Sequence, residues 1–228
     1  MSDLIIDCIS DTHGRHKDIS LPGGDILIHA GDTTGHGTLK ETENFAMWFK
    51  SQPYRYHVMI PGNHDAIFEE SPKLMRDSLA NNGITVLNDT MIEIEGLKIW
   101  GSPVTPYFCN WHYNRHRGQE IKTHWEMIPD DIDILITHGP PFDILDKASH
   151  SIIGKGCVDL MMAIQERPSI KLHVFGHLHF EGMKSLVRDG RLYVNAAYLD
   201  ESYQPGKKTH VRVIYSQGEF YVDQTSVL

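Results

Sequence analysis

The sequence predicts an α/β fold in which much of the strand pairing is parallel. Two observations lead to this prediction. Short apolar runs bounded by turn residues recur along the 228-residue chain, and segments with helical spacing of apolar residues lie between several of them. Strands that alternate with helices usually pair in parallel, because the helix carries the chain back to the edge where the next strand begins.

The alternating part of the chain contains five predicted strands: Leu4 to Ile9, Asp25 to Ile28, His57 to Ile60, Ile132 to Thr137 and Ile170 to Phe175. Three helices are predicted between them, over Leu39 to Lys50, Lys73 to Asn81 and Gly156 to Glu166. Most apolar side chains of the first helix share one face. Ser71 and Pro72 are residue types typical of an N-cap and a first helical position, and Pro168 follows the third helix.

A second set of strands has no helices between most of its neighbours. It comprises Thr85 to Leu87, Met91 to Glu95, Leu97 to Trp100, Lys184 to Arg188, Arg191 to Val194, Val211 to Tyr215 and Glu219 to Val222. Gly96 and Asp189-Gly190 supply tight turns, which predict antiparallel hairpins. The sequence shows no repeat or linker, so we expect a single domain over residues 1–228.

Composition narrows the class of protein. A hydrophobic fraction of 40% with 22% charged residues is typical of a folded globule. The formal net charge of −9 argues against stable binding of nucleic acid or an anionic membrane, since such partners demand a basic surface. Three cysteines without a pairing pattern, a strand-like segment at Met1 to Ser10 in place of a signal peptide, and no long apolar stretch predict a cytoplasmic location.

Polar residues able to bind metal follow five of the apolar runs. They are Asp11 and His13, then Asp32, then Asn63 with His64 and Asp65, then His138, and last His177 and His179. The carboxyl ends of strands in an open α/β sheet form the crevice where ligands bind. A lone histidine is more often structural than a ligand, so the prediction depends on the whole ordered set in its strand context.

This ordered set resembles the calcineurin-like metallophosphoesterase superfamily, whose motifs run Asp-x-His, Gly-Asp, Gly-Asn-His-Asp/Glu, His and Gly-His-x-His. The match spans Asp11 to His179. Four stretches beside these motifs resemble the metallophosphoesterase-domain branch of the superfamily. They are Gly101 to Pro103, Tyr107 to Trp111, Thr137 to Pro141 and Val194 to Ala196. The resemblance implies a four-layer αββα sandwich, with two mixed β-sheets face to face and helices outside.

The resemblance also implies the ligand sets of two metal ions. It places Asp11, His13 and His179 on one metal, and Asn63, His138 and His177 on the other, with Asp32 bridging both. A carboxylate can bridge two cations, whereas a neutral imidazole binds one through a single nitrogen. Four imidazoles, two carboxylates and an amide oxygen favour divalent manganese, iron, zinc, cobalt or nickel over calcium or magnesium, and manganese is the favoured ion.

The implied activity is hydrolysis of small phosphodiesters, cyclic nucleotides among them, through in-line attack by a metal-bridged hydroxide. The resemblance gives His64 the role of contacting the phosphate and donating a proton to the leaving group. Asp65 would then orient His64, or it would cap the following helix or turn.

Two alternative functions remain open from the sequence. The same ligands suit a phosphomonoesterase or protein phosphatase, because fold and site are shared across chemistries. A non-catalytic metal-bound scaffold is the second alternative, and retention of His64 and the full ligand set argues against it.

The segment Pro103 to Pro129 is an insertion rich in aromatic residues and histidines. Either it roofs the site, with Arg115 or Arg117 gripping a phosphate, or it packs its aromatic side chains on the core with its charges in solvent. For His36 the alternatives are contact with substrate and a surface loop. Three histidines beside or within strands are predicted to be structural: His29, His57 and His173.

Overall fold

The computed structural model describes residues 3–149, 151 and 153–223, and its principal strands form two large sheets. Met1 and Ser2 of the strand-like segment Met1 to Ser10 lie outside the described residues, as do residues 224–228 of the predicted domain.

The first sheet has six strands: β1 (Leu4–Ile9), β2 (Gly24–His29), β3 (Tyr54–Met59), β4 (Thr85–Val86), β13 (Val211–Ser216) and β14 (Glu219–Val222). Their order across the sheet is β14-β13-β1-β2-β3-β4. Strands β1 to β4 are parallel, and α-helices occupy the connections from β2 to β3 and from β3 to β4. The hairpin β13-β14 adds an antiparallel edge next to β1.

The second sheet also has six strands: β5 (Thr90–Ile94), β6 (Leu97–Ser102), β9 (Ile134–Thr137), β10 (Leu172–Phe175), β11 (Lys184–Arg188) and β12 (Arg191–Asn195). Their order is β11-β12-β10-β9-β6-β5. The four central strands are parallel, and each edge strand is the antiparallel arm of a hairpin. Two short strands, β7 (Thr105–Pro106) and β8 (Asn114–Arg115), pair separately within the insertion.

Helices cover the outer faces of both sheets: α1 (Leu39–Ser51), α2 (Ala66–Glu70), α3 (Pro72–Asn81), α4 (Gln119–Trp125) and α5 (Val158–Gln165). The first three pack on the first sheet and the last two on the second. A third apolar cluster fills the space between the sheets, with side chains such as Ile6, Ile28, Ile136 and Val174. The predicted four-layer αββα architecture is therefore confirmed. None of these helices has the length and hydropathy that crossing a membrane requires.

Local signals explain where the helices begin. Thr38 and Glu41 form a capping box at α1, with Thr38 Oγ1 accepting from Glu41 N at 3.3 Å and Glu41 Oε2 accepting from Thr38 N at 3.1 Å. Helix α5 begins at Val158, later than the predicted Gly156, because Cys157 is the N-cap and its Sγ accepts from the backbone N–H of Leu160. Helices α2 and α4 were not predicted, since each is too short to show a clear amphipathic period.

A buried charge pair joins the antiparallel edge of the first sheet to its parallel part. Asp7 on β1 is opposite Arg212 on β13. Arg212 Nε donates to Asp7 Oδ1 at 2.9 Å, and Arg212 Nη2 donates to Asp7 Oδ2 at 2.7 Å. The hydroxyl of Tyr54 donates to the same carboxylate. Asp7 is fully buried, so these donors replace the water that its charge would otherwise need.

Candidate metal centre

The carboxyl ends of parallel strands from both sheets meet at one side of the molecule, and the predicted ligands lie there. The first sheet supplies Asp11 and His13 after β1, Asp32 after β2 and Asn63 after β3, and the second sheet supplies the three other histidines after β9 and β10. The structure brings all seven predicted ligands together: Asp11, His13, Asp32, Asn63, His138, His177 and His179.

The potential ligand atoms fall into overlapping groups whose members lie within 4.8 Å of one another. One group joins Asp11, His13 and His179, and His179 Nε2 lies 3.3 Å from Asp11 Oδ1. Another joins Asp32, His138 and His177, and His138 Nε2 lies 3.3 Å from Asp32 Oδ2. The first group contains the three residues that the resemblance assigns to one metal, and the second contains Asp32 with two of the three residues assigned to the other.

Asn63 and Asp32 connect these groups. Asn63 Oδ1 lies 3.0 Å from His138 Nε2, which places the amide with the second group. Asp32 Oδ2 lies 3.6 Å from His13 Nε2 and 3.3 Å from His138 Nε2. A single carboxylate oxygen thus faces an imidazole from each group.

Four of these side chains project from strained backbone. Asp11, His13, Asp32 and His177 have φ angles of 52°, 41°, 55° and 69°. Non-glycine residues rarely adopt this left-handed conformation, which costs on the order of 1–3 kcal/mol each unless the surroundings impose it. Backbone bonds hold the first two turns, since Asp11 N donates to Gly31 O at 2.9 Å and His13 N donates to Asp32 O at 3.0 Å.

Gly176 allows the two sheets to approach at the site. A Cβ atom at this position would lie 2.0 Å from Asp11 Oδ2 and 2.2 Å from Ser10 Oγ, which no side chain tolerates. The next residue in the chain, His177, donates its backbone N–H to Asp11 Oδ2 at 2.8 Å. The glycine is therefore required for the second sheet to contact Asp11.

Hydrogen bonds at the outer side of the site orient the imidazole rings. His138 Nδ1 lies 2.9 Å from Ala30 O, and His179 Nδ1 lies 2.9 Å from Asp200 O. A carbonyl oxygen only accepts, so each Nδ1 carries the proton and donates it. The Nε2 atom of each ring then faces the centre, the arrangement found for histidines that bind metals.

The carboxylates govern the charge of this site. Burial by itself would lower the pKa of His138 and of His179, but the adjacent Asp32 and Asp11 outweigh that effect and raise both to about 9. Burial alone would raise the pKa of Asp11, and the adjacent His179 imidazole instead lowers it below the ordinary range. Two buried aspartates thus attract compensating positive charge.

The residues fit divalent cations on two further observations. Asp11 Oδ1 and both ring nitrogens of His13 are buried atoms without a hydrogen-bond partner among the described residues. Such atoms are costly unless a ligand satisfies them. Their chemistry, carboxylate and imidazole with a nearby amide oxygen, is that of a site for borderline transition ions.

His64 stands at the edge of this cluster, as predicted. Its Nδ1 lies 2.9 Å from Gly35 O, so Nδ1–H donates to that carbonyl and Nε2 remains available. The ring contacts His13 edge-on, with centroids 4.6 Å apart. His64 also joins His13 and Asp32 in a third group of potential ligands, a neighbourhood that sequence reasoning did not assign to it.

Asp65 holds two loops together. Its carboxylate accepts hydrogen bonds from the backbone and hydroxyl groups of Thr33 and Thr34, at 2.7–3.1 Å, and from Gly62 N at 2.9 Å. Neither of the predicted contacts is present: Gly35 O orients the His64 ring, and the Asp65 side chain forms no cap bond with α2. Asp65 instead fixes the loop after Asp32 against the loop that carries His64.

The comparisons with known proteins bear on this geometry. A family model described as calcineurin-like phosphoesterase matches residues 4–181. The chain belongs to the calcineurin-like phosphoesterase family. Members of this family are metal-dependent phosphoester hydrolases, and the resemblance inferred from the motifs is confirmed.

Two relatives and one solved structure show which proteins this calcineurin-like phosphoesterase is similar to. It is 39% identical over 220 residues to Metallophosphoesterase domain-containing protein 1 of Homo sapiens, covering 87% of this chain and 67% of that protein. It is 24% identical over 166 residues to the 3',5'-cyclic-nucleotide phosphodiesterase alr5338 of Nostoc sp., covering 70% of this chain and 58% of that protein. The solved structure of Phosphopantetheinyl Hydrolase from Mycobacterium tuberculosis shares the fold, with a TM-score of 0.56 at 15% identity over 84% of this chain and 88% of that one.

A cavity of about 320 Å³ lies over the centre of this phosphoesterase, and several of its lining residues were missed by sequence reasoning. They are Lys147, Ala148, Leu178, Glu201 and Tyr203, whereas Phe108 belongs to the insertion. Tyr203 contacts His13 with ring centroids 4.9 Å apart and comes from a loop that follows the last motif. Nothing in the local sequence signals that this loop returns to the site.

The insertion Pro103 to Pro129 combines both predicted arrangements. Tyr113 and Trp125 are buried, whereas Trp111 is exposed at the cavity and stacks on His64. Arg115 does not line the cavity, because its guanidinium lies 3.3–3.4 Å from Glu69 Oε1.

Four further histidines with expectations from the sequence lie in a surface loop or in the interior. His36 is 88% exposed beside Glu41 in a surface loop. Three others are buried as expected: His29, His57 and His173.

Proposed function

We propose that this calcineurin-like phosphoesterase is a two-metal phosphodiesterase for small phosphodiesters, with manganese the favoured ion. The observation that carries the proposal is the position of Asp32, whose Oδ2 atom faces His13 of one ligand set and His138 of the other. That position supports a shared carboxylate between two ions. The cyclic-nucleotide phosphodiesterase among the relatives supports a diester substrate.

Two bound divalent ions would lower the pKa of a water molecule to supply the nucleophile and would stabilise negative charge on the phosphoryl oxygens. The protein's own residues supply and position the proton donor. His64 lines the cavity with Nε2 available, so it can hold a proton at that atom for the leaving-group oxygen. The hydrogen bond from His64 N to Asp32 Oδ1, at 2.8 Å, fixes this donor relative to the proposed bridging carboxylate.

The wider assignment follows from the same proposal. We propose one phosphoesterase domain over residues 1–228 and a small-molecule substrate, without stable nucleic acid or membrane partners, as the net charge of −9 supports. Cys8, Cys109 and Cys157 are free thiols, which supports a reducing, cytoplasmic location.

The test compares substrates on manganese-loaded protein. We expect bis(p-nitrophenyl) phosphate to be hydrolysed with a higher kcat/KM than p-nitrophenyl phosphate. The panel also includes cyclic nucleotides, linear diesters and single-stranded DNA. The opposite preference between the two nitrophenyl esters would favour the phosphomonoesterase or protein phosphatase alternative. Two bound metals with no turnover of any ester would favour the non-catalytic scaffold.

Metal content tests the proposed bridge separately from turnover. Inductively coupled plasma mass spectrometry should find two manganese ions per chain in the wild type and a loss at both positions in Asp32→Ala. The control Asp77→Asn changes an exposed aspartate that pairs with Lys73, and it should keep both ions. An Asp32→Ala protein that still binds two ions and turns over normally would overturn the bridging assignment.

A further inference from the structure

A second cavity, of about 460 Å³, opens beside the metal centre. It shares Phe108, His177 and Leu178 with the cavity over the centre, so the two spaces adjoin across these side chains. Its volume lies within the range of about 300–1,000 Å³ that is typical of small-molecule sites. A group bound there would lie next to a phosphoryl group held at the metal ions.

The walls of the second cavity are mainly apolar. Pro106, Tyr107 and Phe108 come from the insertion, and Pro140 and Leu178 come from the second sheet's connections. The Phe108 ring meets His177 with centroids 4.9 Å apart, and Tyr107 stacks on His116 at 4.7 Å. These rings present flat apolar surface, which suits an organic group better than a second phosphate.

Gly139 keeps one wall of the cavity open. A Cβ atom there would meet Thr105 Cγ2 at 3.4 Å, which is ordinary van der Waals contact, and its φ is not in the left-handed region. Neither backbone conformation nor packing against neighbours therefore demands glycine at this position. The absence of a side chain instead leaves space beside His177.

Two cations, Arg117 and Lys155, complete the lining. Arg117 Nη1 donates to Gly156 O at 2.9 Å and Nη2 donates to Lys155 O at 2.8 Å, so its guanidinium is fixed by backbone carbonyls. Among the described residues neither cation lies within 4.0 Å of a carboxylate. A guanidinium has five N–H donors, so Arg117 retains some for a ligand. In a chain of net charge −9, two cations without acidic partners mark a local preference for an anion.

We propose that this second cavity binds the organic group of the phosphoester and selects an aromatic group that carries its own negative charge. The aromatic part packs on Tyr107, Phe108 and Leu178, and the anionic substituent pairs with Lys155 and Arg117. This inference rests on the proposed function, because it requires the phosphoryl group to bind at the adjacent centre.

The test measures binding of non-hydrolysable phosphonates to the manganese-loaded protein by isothermal titration calorimetry. The probes are methylphosphonate, phenylphosphonate and 4-carboxyphenylphosphonate. We expect the Kd to fall about tenfold from methyl to phenyl, as apolar surface is buried. A further fall of about threefold is expected for the carboxylate, the size of a partly solvated ion pair.

Two variants separate these increments. Tyr107→Ala should reduce the gain in affinity that the phenyl group provides. Lys155→Gln should remove the gain in affinity from the carboxylate and keep the gain from the phenyl group. The controls are Tyr221→Ala, an exposed tyrosine on β14, and Lys208→Gln, a lysine that lines a different cavity. Both controls should retain both increments.

The outcomes distinguish the inference from the proposed function. If methylphosphonate binds but the aryl phosphonates bind no more tightly, the inference is overturned and the proposed function stands. It is also overturned if the control variants lose the increments as fully as Tyr107→Ala and Lys155→Gln. If manganese binds but no phosphonate does, the proposed function fails, and the inference fails with it.

Discussion

The indole of Trp111 stacks on the imidazole of His64, with ring centroids 4.3 Å apart and planes inclined by 28°. Glu69 on α2 anchors the segment that carries Trp111, since Glu69 Oε2 accepts from Tyr113 N at 2.9 Å and lies 3.1 Å from His112 Nδ1. His64 is therefore held on one side by the Gly35 carbonyl and on another by an aromatic face. The insertion thereby positions the proposed proton donor.

Trp111→Ala should lower kcat about three- to tenfold for a diester with an alkyl leaving group, because a freed His64 donates its proton less efficiently. The effect should be small for p-nitrophenolate, which leaves without protonation. Trp111→Phe should restore most of the rate, since a ring remains to stack. The measurement is kcat for both leaving groups; equal losses for the two would contradict a role of Trp111 in positioning the proton donor.

Manganese should stabilise the fold. An ion at one hundred times its Kd adds about 2.7 kcal/mol per site to the free energy of unfolding. Urea unfolding with added manganese, compared with chelator-treated protein, measures this gain. Asp32→Asn should lose most of it, whereas a variant that gained as much as the wild type would contradict the proposed centre.

Asp65→Asn should destabilise the protein by about 2 kcal/mol, because an amide NH₂ replaces an oxygen that accepts from Thr33 and Thr34 and leaves buried groups unpaired. Manganese should also bind more weakly, since the loop carrying Asp32 loses its fixed position. Urea unfolding and a manganese titration measure these two effects. Asp77→Asn, at an exposed position, is the matched control, and an Asp65→Asn protein that behaves like it would show that the loops do not depend on Asp65.

Arg212→Met should lower the free energy of unfolding by about 3–5 kcal/mol, because it leaves the carboxylate of Asp7 buried with fewer donors. The double variant Asp7→Leu with Arg212→Met should be more stable than Arg212→Met alone. Urea unfolding of the three proteins provides the measurement. A single variant as stable as the wild type would mean that Tyr54 and solvent suffice for Asp7.

Acid should destabilise the fold through His173. Burial lowers the pKa of His173 to about 3, against an ordinary value of 6.5. Below pH 6.5 His173 becomes protonated in the unfolded chain but stays neutral in the folded chain. The free energy of unfolding therefore falls as the pH drops from 6.5 toward 3. The full slope for one group is about 1.4 kcal/mol per pH unit.

Between pH 6 and pH 4, His173→Gln should reduce the slope of the unfolding free energy against pH by about 1.4 kcal/mol per pH unit, the value for one proton. Urea unfolding at several pH values measures the slope. The matched control is His36→Gln, a change at a solvent-exposed histidine, which should keep the wild-type slope. A His173→Gln slope identical to that of the wild type would show that this histidine is not kept neutral by burial.

Local patterns predicted most strands and helices and the polar residues that meet at one edge, and the family resemblance implied the four-layer architecture and the ligand assignments. Each ligand comes directly after an apolar run, and parallel topology alone brings such positions to one edge. The strand runs were correct to within about two residues at most ends, the ordinary uncertainty of element boundaries. The seven residues were predicted together because chain topology, rather than side-chain detail, decides their meeting.

The parts that escaped prediction depend on contacts between distant segments. Asp65 bonds Thr33 and Thr34, and Tyr203 reaches His13 from a loop held by the bond from Arg15 Nη1 to Tyr203 O at 2.9 Å. Neither contact has a local sequence pattern, since loop paths are set by tertiary packing. The role of Trp111 was hidden for the same reason, because it requires Glu69 to hold the insertion.

The proposed ligands come from both sheets, with Asp11, His13, Asp32 and Asn63 from the first and the three later histidines from the second. Each proposed ligand set therefore draws on both sheets, so the distances between its members depend on the apolar layer between the sheets. Conservative changes in that layer, such as Ile136→Val or Val174→Ile, would alter the distance across the site without touching a ligand. Selection for a different reaction rate or metal could therefore act through interior side-chain volume, leaving every motif intact.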